Sequence, residues 1–184
     1  MSKTDQTARP NGIDVGALRE FVAEVAARPA AGAATFGVVT TWQGGTRTEA
    51  RPMPIRLGDQ VLERNFFIAA DEPPELLGAN TAANPQELLL AGLNACVGAT
   101  YVGNAAAMNI ELRSLTIRAR GTLDLRGFLG IDASVNPGYD EVKLEVQIDS
   151  PATQAALDRL HEQVRRVSPN YHNFVRAVPL RVKA

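Results

Sequence analysis

The chain has 184 residues, 20 acidic against 19 basic side chains, and a single cysteine, Cys96. That length suits one domain with a sizeable core, or one core carrying a short appendage. The near-balance of charge excludes the electrostatic footprint of a nucleic-acid or anionic-membrane binder, and one cysteine excludes an internal disulfide framework.

Residues 1–13 are polar and read as loose, with no apolar signal-peptide core. Asp14 can cap a helix in which Leu18, Phe21, Val22 and Val25 fall at helical spacing, and Pro29 stops it. The alanine-rich stretch 29–33 is a linker, so residues 1–33 form an N-terminal extension whose helix docks on a surface. Residues 34–184 form the main domain. Thr35 to Trp42 is a β-branched and aromatic strand, Gln43 to Thr46 a turn, and Arg47 to Arg51 the returning strand. Asn65 to Ala70 is a further strand.

Residues 84–108 form a helix that is apolar nearly all round and therefore calls for burial on most sides. Its small residues Gly92, Cys96, Ala99, Gly103 and Ala106 recur at steps of three and four, which lets another element approach closely. No apolar run reaches the length of a membrane span on this reading. Leu115, Ile117 and Ala119 then share one strand face. Val142, Leu144, Val146 and Ile148 alternate with polar residues in the next strand. Pro151 to Val167 is a second helix with Ala156, Leu157, Leu160 and Val164 on its apolar side. A short helix at 170–175 and a last strand, Val178 to Val182, close the chain. This order of elements implies an α+β fold rather than a parallel α/β one.

Few residues carry chemistry. His161 and His172 lack partners at metal-ligand spacing, and no phosphate-binding glycine pattern occurs, so no metal or cofactor is expected. Arg159, Arg165, Arg166, Arg176 and Arg181 read as a solvated helix face. Asn84, Pro85 and Glu87 form a pattern like a capping box, and Ser168 suits the N-cap of the following helix. Cys96 has two readings. It is a small hydrophobe in a core, or it is a nucleophile whose thiol must be brought below its ordinary pKa of about 8.5. Mid-helix, it lies too far from the helix N-terminus for the dipole to do this alone. Bringing the thiol to about 6 takes roughly 3.4 kcal/mol of preferential thiolate stabilisation, which a close guanidinium can supply.

The stretch from Asp71 through Asn84-Pro85-Gln86-Glu87 to Cys96 resembles the signature of the OsmC/Ohr family, the osmotically induced and organic hydroperoxide resistance proteins. Gly121 to Gly130 with Asn136-Pro137-Gly138-Tyr139, and Val167-Ser168-Pro169-Asn170 with Val178 to Val182, resemble later parts of its OsmC-like branch. Together these cover residues 34–184 in order. The resemblance implies antiparallel sheets wrapped around a long buried central helix in an intertwined homodimer. It also implies that Cys96 is the reactive thiol, beside an arginine held by a glutamate. Arg47, Arg51 and Arg64 are the candidates for that arginine. Arg47 is preferred because it follows the first hairpin turn, and Glu87 is the candidate carboxylate. Two positions depart from the pattern. Ser168 stands where many members carry a second, resolving cysteine, and Gln86 stands where the carboxylate often follows the proline.

The expected function is thus a thiol-dependent peroxidase reducing small hydrophobic hydroperoxides through one cysteine, with an external thiol or dithiol as reductant. The alternative is a non-catalytic protein of the same fold that holds a hydrophobic small molecule. A free thiol and no disulfides place either one in a reducing cytoplasm.

Overall fold

A computed structural model describes residues 9–183. The chain divides into two units, residues 14–89 and residues 9–13 with 90–183.

In the first unit, Asp14 caps helix α1 (Val15–Ala27) by accepting the Ala17 N–H at 2.9 Å, and the helix ends just before Pro29. Its capping and length follow the sequence signals. The predicted strand 35–42 breaks into β1 (Ala34–Thr35) and β2 (Val38–Trp42). β2 pairs with β3 (Thr48–Pro52) through a turn in which Gly44 and Gly45 both take positive φ, at 102° and 55°. Glycine meets that requirement without a Cβ clash, so the hairpin closes where the sequence predicts. β3 also pairs with β6 (Ile68–Ala70), which is three residues long and so shorter than the expected 65–70 strand. A separate sheet, β1 with β4 (Ile55–Leu57) and β5 (Gln60–Leu62), was not anticipated, because three-residue strands carry too little periodicity. Only Ala70 and Asp71 are buried among the described residues of this unit. Every residue of β2 is exposed, Trp42 by 70%. Both faces of β2 therefore lie open in the single chain.

Helix α2 (Pro85–Ala107) runs for 23 residues, with its first turn in the first unit and the remainder in the second. Its most apolar 18-residue window has mean hydropathy 1.3, so by length and composition it could cross a membrane. That corrects the expectation that no apolar run is long enough. Within the second unit, however, Leu93, Val97, Tyr101, Ala105 and Ala106 form a buried stripe, as a core helix requires. Burial on most sides is not reached in the single chain: Ala91, Gly92, Ala95 and Ala99 are exposed. Asn109 ends the helix in the left-handed region at φ 55°, and Ile110 N–H bonds back to Ala105 O at 2.8 Å.

The core of the second unit forms against β7 (Ser114–Gly121) and β8 (Val142–Asp149), an antiparallel pair. Leu115 opposes Ile148, Ile117 opposes Val146 and Ala119 opposes Leu144, so the apolar alternations of both strands meet on one face. A one-residue slip would turn that whole face to water, which pins the register. Helix α4 (Gln154–Val167) closes the core with fully buried Leu160 and nearly buried Val164. It begins three residues later than predicted, because Thr153 takes the cap by accepting Ala156 N–H at 3.3 Å. A one-turn helix, α3 (Leu125–Phe128), and the short α5 (Pro169–Val175) complete the elements.

Two expectations fail here. Residues 9–13 are held rather than loose: the Asn11 amide donates to Ile110 O and accepts from Leu112 N–H, both at 2.9 Å. The rest of the segment expected to be loose, residues 1–8, lies outside the described residues. The last strand does not form. Residues 177–183 carry no regular structure, and Leu180 is 88% exposed. A strand needs a neighbour to accept its backbone bonds, and none pairs with this segment among the described residues.

Candidate functional site

Cys96 lies three turns into α2 and is a half-buried free thiol. Its Sγ accepts the backbone N–H of Asn170 at 3.4 Å, and Ser168 Oγ stands 3.8 Å away. Ser168 is completely buried. It occupies the N-cap position of α5, but its side chain makes no cap bond and faces the cysteine instead. The sequence reading placed this hydroxyl on the helix cap. Tertiary proximity redirected it. Asn170 secures the arrangement with its side-chain amide, which donates to Gly92 O on α2 at 2.9 Å. The start of α5 is thereby tied to α2 one turn before Cys96, and the Asn170 N–H is aimed at the sulfur. Asn170 was missed as a functional residue because its only signal was its place after Ser168 and Pro169.

Arg47 and Glu87 belong to the first unit. Arg47, which immediately precedes β3, pairs with Glu49 on that strand at 3.2 Å, and its guanidinium donates to Thr81 Oγ1 at 2.8 Å. Thr81 in turn donates to Asp71 Oδ2 at 2.7 Å from its hydroxyl and 3.0 Å from its N–H. Asp71 Oδ1 also accepts from Thr46 Oγ1 at 2.6 Å and Glu72 N–H at 2.9 Å. The Thr46 and Thr81 hydroxyls, with those two backbone N–H groups, hold the Asp71 carboxyl well below the usual carboxylate range, against the opposing effect of burial. No sequence signal marked Thr46, Asp71 or Thr81, because their convergence joins positions up to 35 residues apart.

Glu87 accepts the Asn84 N–H at 2.8 Å, while Asn84 Oδ1 accepts the Gln86 N–H at 2.7 Å. This is the capping arrangement, and the carboxylate beside Arg47 is Glu49 rather than Glu87. Asn84 Nδ2 also bonds Glu72. Of the other candidate arginines, Arg51 is exposed, and Arg64 lies over the Phe66 ring at 4.8 Å from its centroid. Among the three, Arg47 is the one held by a network of side chains.

An antiparallel α+β chain with a lone thiol on its long helix, met by the N-terminus of a second helical segment, defines a single-thiol protein of mixed architecture. The OsmC-like protein family model matches residues 78–183, more than half of the chain, and the chain belongs to that family. Among solved structures, an OsmC-like protein from Mycoplasma pneumoniae superposes with TM-score 0.61 at 20% identity, covering 78% of this chain and 89% of that one. An OsmC-like protein of unknown function from Vibrio cholerae gives 0.57 at 15% identity, covering 76% and 92%. An organic hydroperoxide resistance protein OsmC from Legionella pneumophila gives 0.44 at 20% identity, covering 77% and 90%. No curated protein matches the chain.

Proposed function

We propose that this protein is a thiol-dependent reductant of small organic hydroperoxides, working through Cys96 as its one peroxidatic residue. The observation that carries the reading is the setting of that sulfur. A half-buried thiol at the family's reactive position receives the Asn170 N–H and lies against the Ser168 hydroxyl, two donors suited to a thiolate. The thiolate attacks the terminal oxygen of R–O–O–H, the O–O bond breaks, and the alkoxide takes up a proton to leave as R–OH. Cys96 is then a sulfenic acid. An external thiol attacks it, releasing water and leaving a mixed disulfide, and a second external thiol restores Cys96. Arg47 is the proposed cation for the thiolate, pre-oriented by Glu49 and Thr81.

The working form is proposed to be a homodimer in a reducing cytoplasm. The exposed faces of β2, the open small-residue face of α2 and the unpaired 177–183 segment are surfaces that a second copy would cover. A second reading, a non-catalytic carrier of a hydrophobic small molecule, is favoured by Ser168, because a hydroxyl cannot resolve a sulfenic acid as a neighbouring thiol would.

Intact mass after one equivalent of cumene hydroperoxide, with and without dimedone, separates the two. The peroxidase reading expects the dimedone adduct within seconds and its loss in Cys96→Ser. Unmodified protein after an hour would discard that reading in favour of the carrier. Arg47→Ala should slow adduct formation several-fold while Arg64→Ala leaves it unchanged.

A further inference from the structure

The second unit contains a cavity of about 610 Å³ that Cys96 does not line. One part of its wall is aliphatic, with Val97 from α2, Leu144 and Val146 from β8, and Val164 from α4. Another part is polar. Tyr101 Oη and His161 Nδ1 are 2.7 Å apart, their rings edge to face at 5.5 Å between centroids, and Arg165 stands on the same face of α4 as His161.

Tyr101 is 4% exposed, and its hydroxyl has His161 as its only partner among the described residues. Whichever atom of that pair is the donor, one hydrogen remains for a third group. If Tyr101 donates to Nδ1, His161 Nε2 carries a proton; if Nδ1 donates, the tyrosine hydroxyl hydrogen is free. Arg165 has no ion pair among the described residues. Burial raises the Tyr101 pKa, and the Arg165 charge opposes that rise. Asp158 also borders the cavity, and its carboxylate repels an anion. It lies two turns from Arg165, on the order of 10 Å along the helix, and already accepts the Gln154 amide at 2.8 Å.

We propose that this cavity is a binding site for a small amphipathic carboxylic acid. The carboxylate is received by Arg165 and the Tyr101–His161 pair, and the alkyl chain packs on Val97, Leu144, Val146 and Val164. The volume lies within the range of ligand pockets, and an apolar wall with a few convergent donors is the usual composition of one. An uncharged apolar ligand would leave the unpaired guanidinium unused, whereas a carboxylate engages it with two parallel hydrogen bonds. The site is independent of thiol chemistry and goes beyond the peroxidase reading.

Isothermal titration of the full chain with sodium octanoate, with 1-octanol as the uncharged comparison, tests the proposal. Octanoate should bind with measurable heat and at least ten-fold more tightly than octanol. Arg165→Gln, an exposed and structurally mild change, should weaken octanoate at least ten-fold and leave octanol unaffected. Val146→Trp should fill the cavity and remove both, with circular dichroism confirming the fold. Cys96→Ala should change neither, which separates this site from the peroxidatic one. No octanoate heat at millimolar concentration, or octanoate affinity indifferent to Arg165→Gln, overturns the proposal whatever Cys96 does with hydroperoxide.

Discussion

The Ser168 hydroxyl lies 3.8 Å from the Cys96 sulfur, although the two residues are 72 apart in the chain. At the position where the family resemblance implies a resolving thiol, this chain holds a buried hydroxyl beside Cys96. Disulfide bonding needs two sulfurs about 2.05 Å apart with their Cα atoms within about 7 Å, and side chains already in contact are close to that requirement. Ser168→Cys should therefore form an internal disulfide with Cys96 after one equivalent of hydroperoxide, seen as a mass loss of about two daltons. It should also protect Cys96 from over-oxidation to sulfinic acid. Ser168→Ala, which cannot form the bond, is the control. A Ser168→Cys protein that stays reduced would deny Cys96 a peroxidatic role.

A dimer links stability to concentration. If a second copy covers the open faces of β2 and α2, the denaturation midpoint should rise as protein concentration rises. Light scattering should report twice the chain mass at micromolar concentration. A folded species of single-chain mass, with a midpoint independent of concentration, contradicts the assembly.

Asp71 should shape the acid limb of stability. Its carboxyl is held well below the usual range by Thr46, Thr81 and two backbone N–H groups. A depressed native pKa gives stability that is present above the unfolded value of about 3.9 and lost as pH falls toward the native value. Urea midpoints should thus drop as pH falls below about 4. In Asp71→Asn the same drop should be shallower, by an uptake of up to roughly one proton. An identical acid limb in wild type and variant would show that the ionised carboxylate adds nothing to folding.

Core and cap substitutions should separate by size. Leu160 is fully buried between α2 and the β7–β8 face, so Leu160→Ala should cost about 2–5 kcal/mol in urea unfolding. Thr153→Ala removes a single cap bond, and a long one at 3.3 Å, so its cost should stay near 0.5–1 kcal/mol. Equal losses would mean that the apolar face of α4 is not where the helix gains its stability.

The elements that were legible in the chain are those whose information is local. Asp14 and Pro29 bound α1, two glycines close the β2–β3 turn, and a period of two across Leu115–Ala119 and Val142–Ile148 marks the apolar face of each strand. The order of motifs around Cys96 was enough to indicate the OsmC-like family. Residues 178–182 alternate as a strand should, yet they form none, because alternation states a preference and pairing needs a partner edge.

By itself, then, the sequence determined the α+β class, the apolar faces of its longer strands, the long apolar helix and the single thiol on it, through periodicities and caps that act within a few residues. Tertiary structure alone decided which groups meet. It turned Ser168 from its cap toward Cys96, aimed the Asn170 N–H at the sulfur, gave Arg47 to Glu49 and Thr81, and left Glu87 capping α2. The physical reason is one of range. A hydrogen bond is settled by a few tenths of an ångström between atoms whose residues are often dozens of positions apart, and no local pattern encodes that distance.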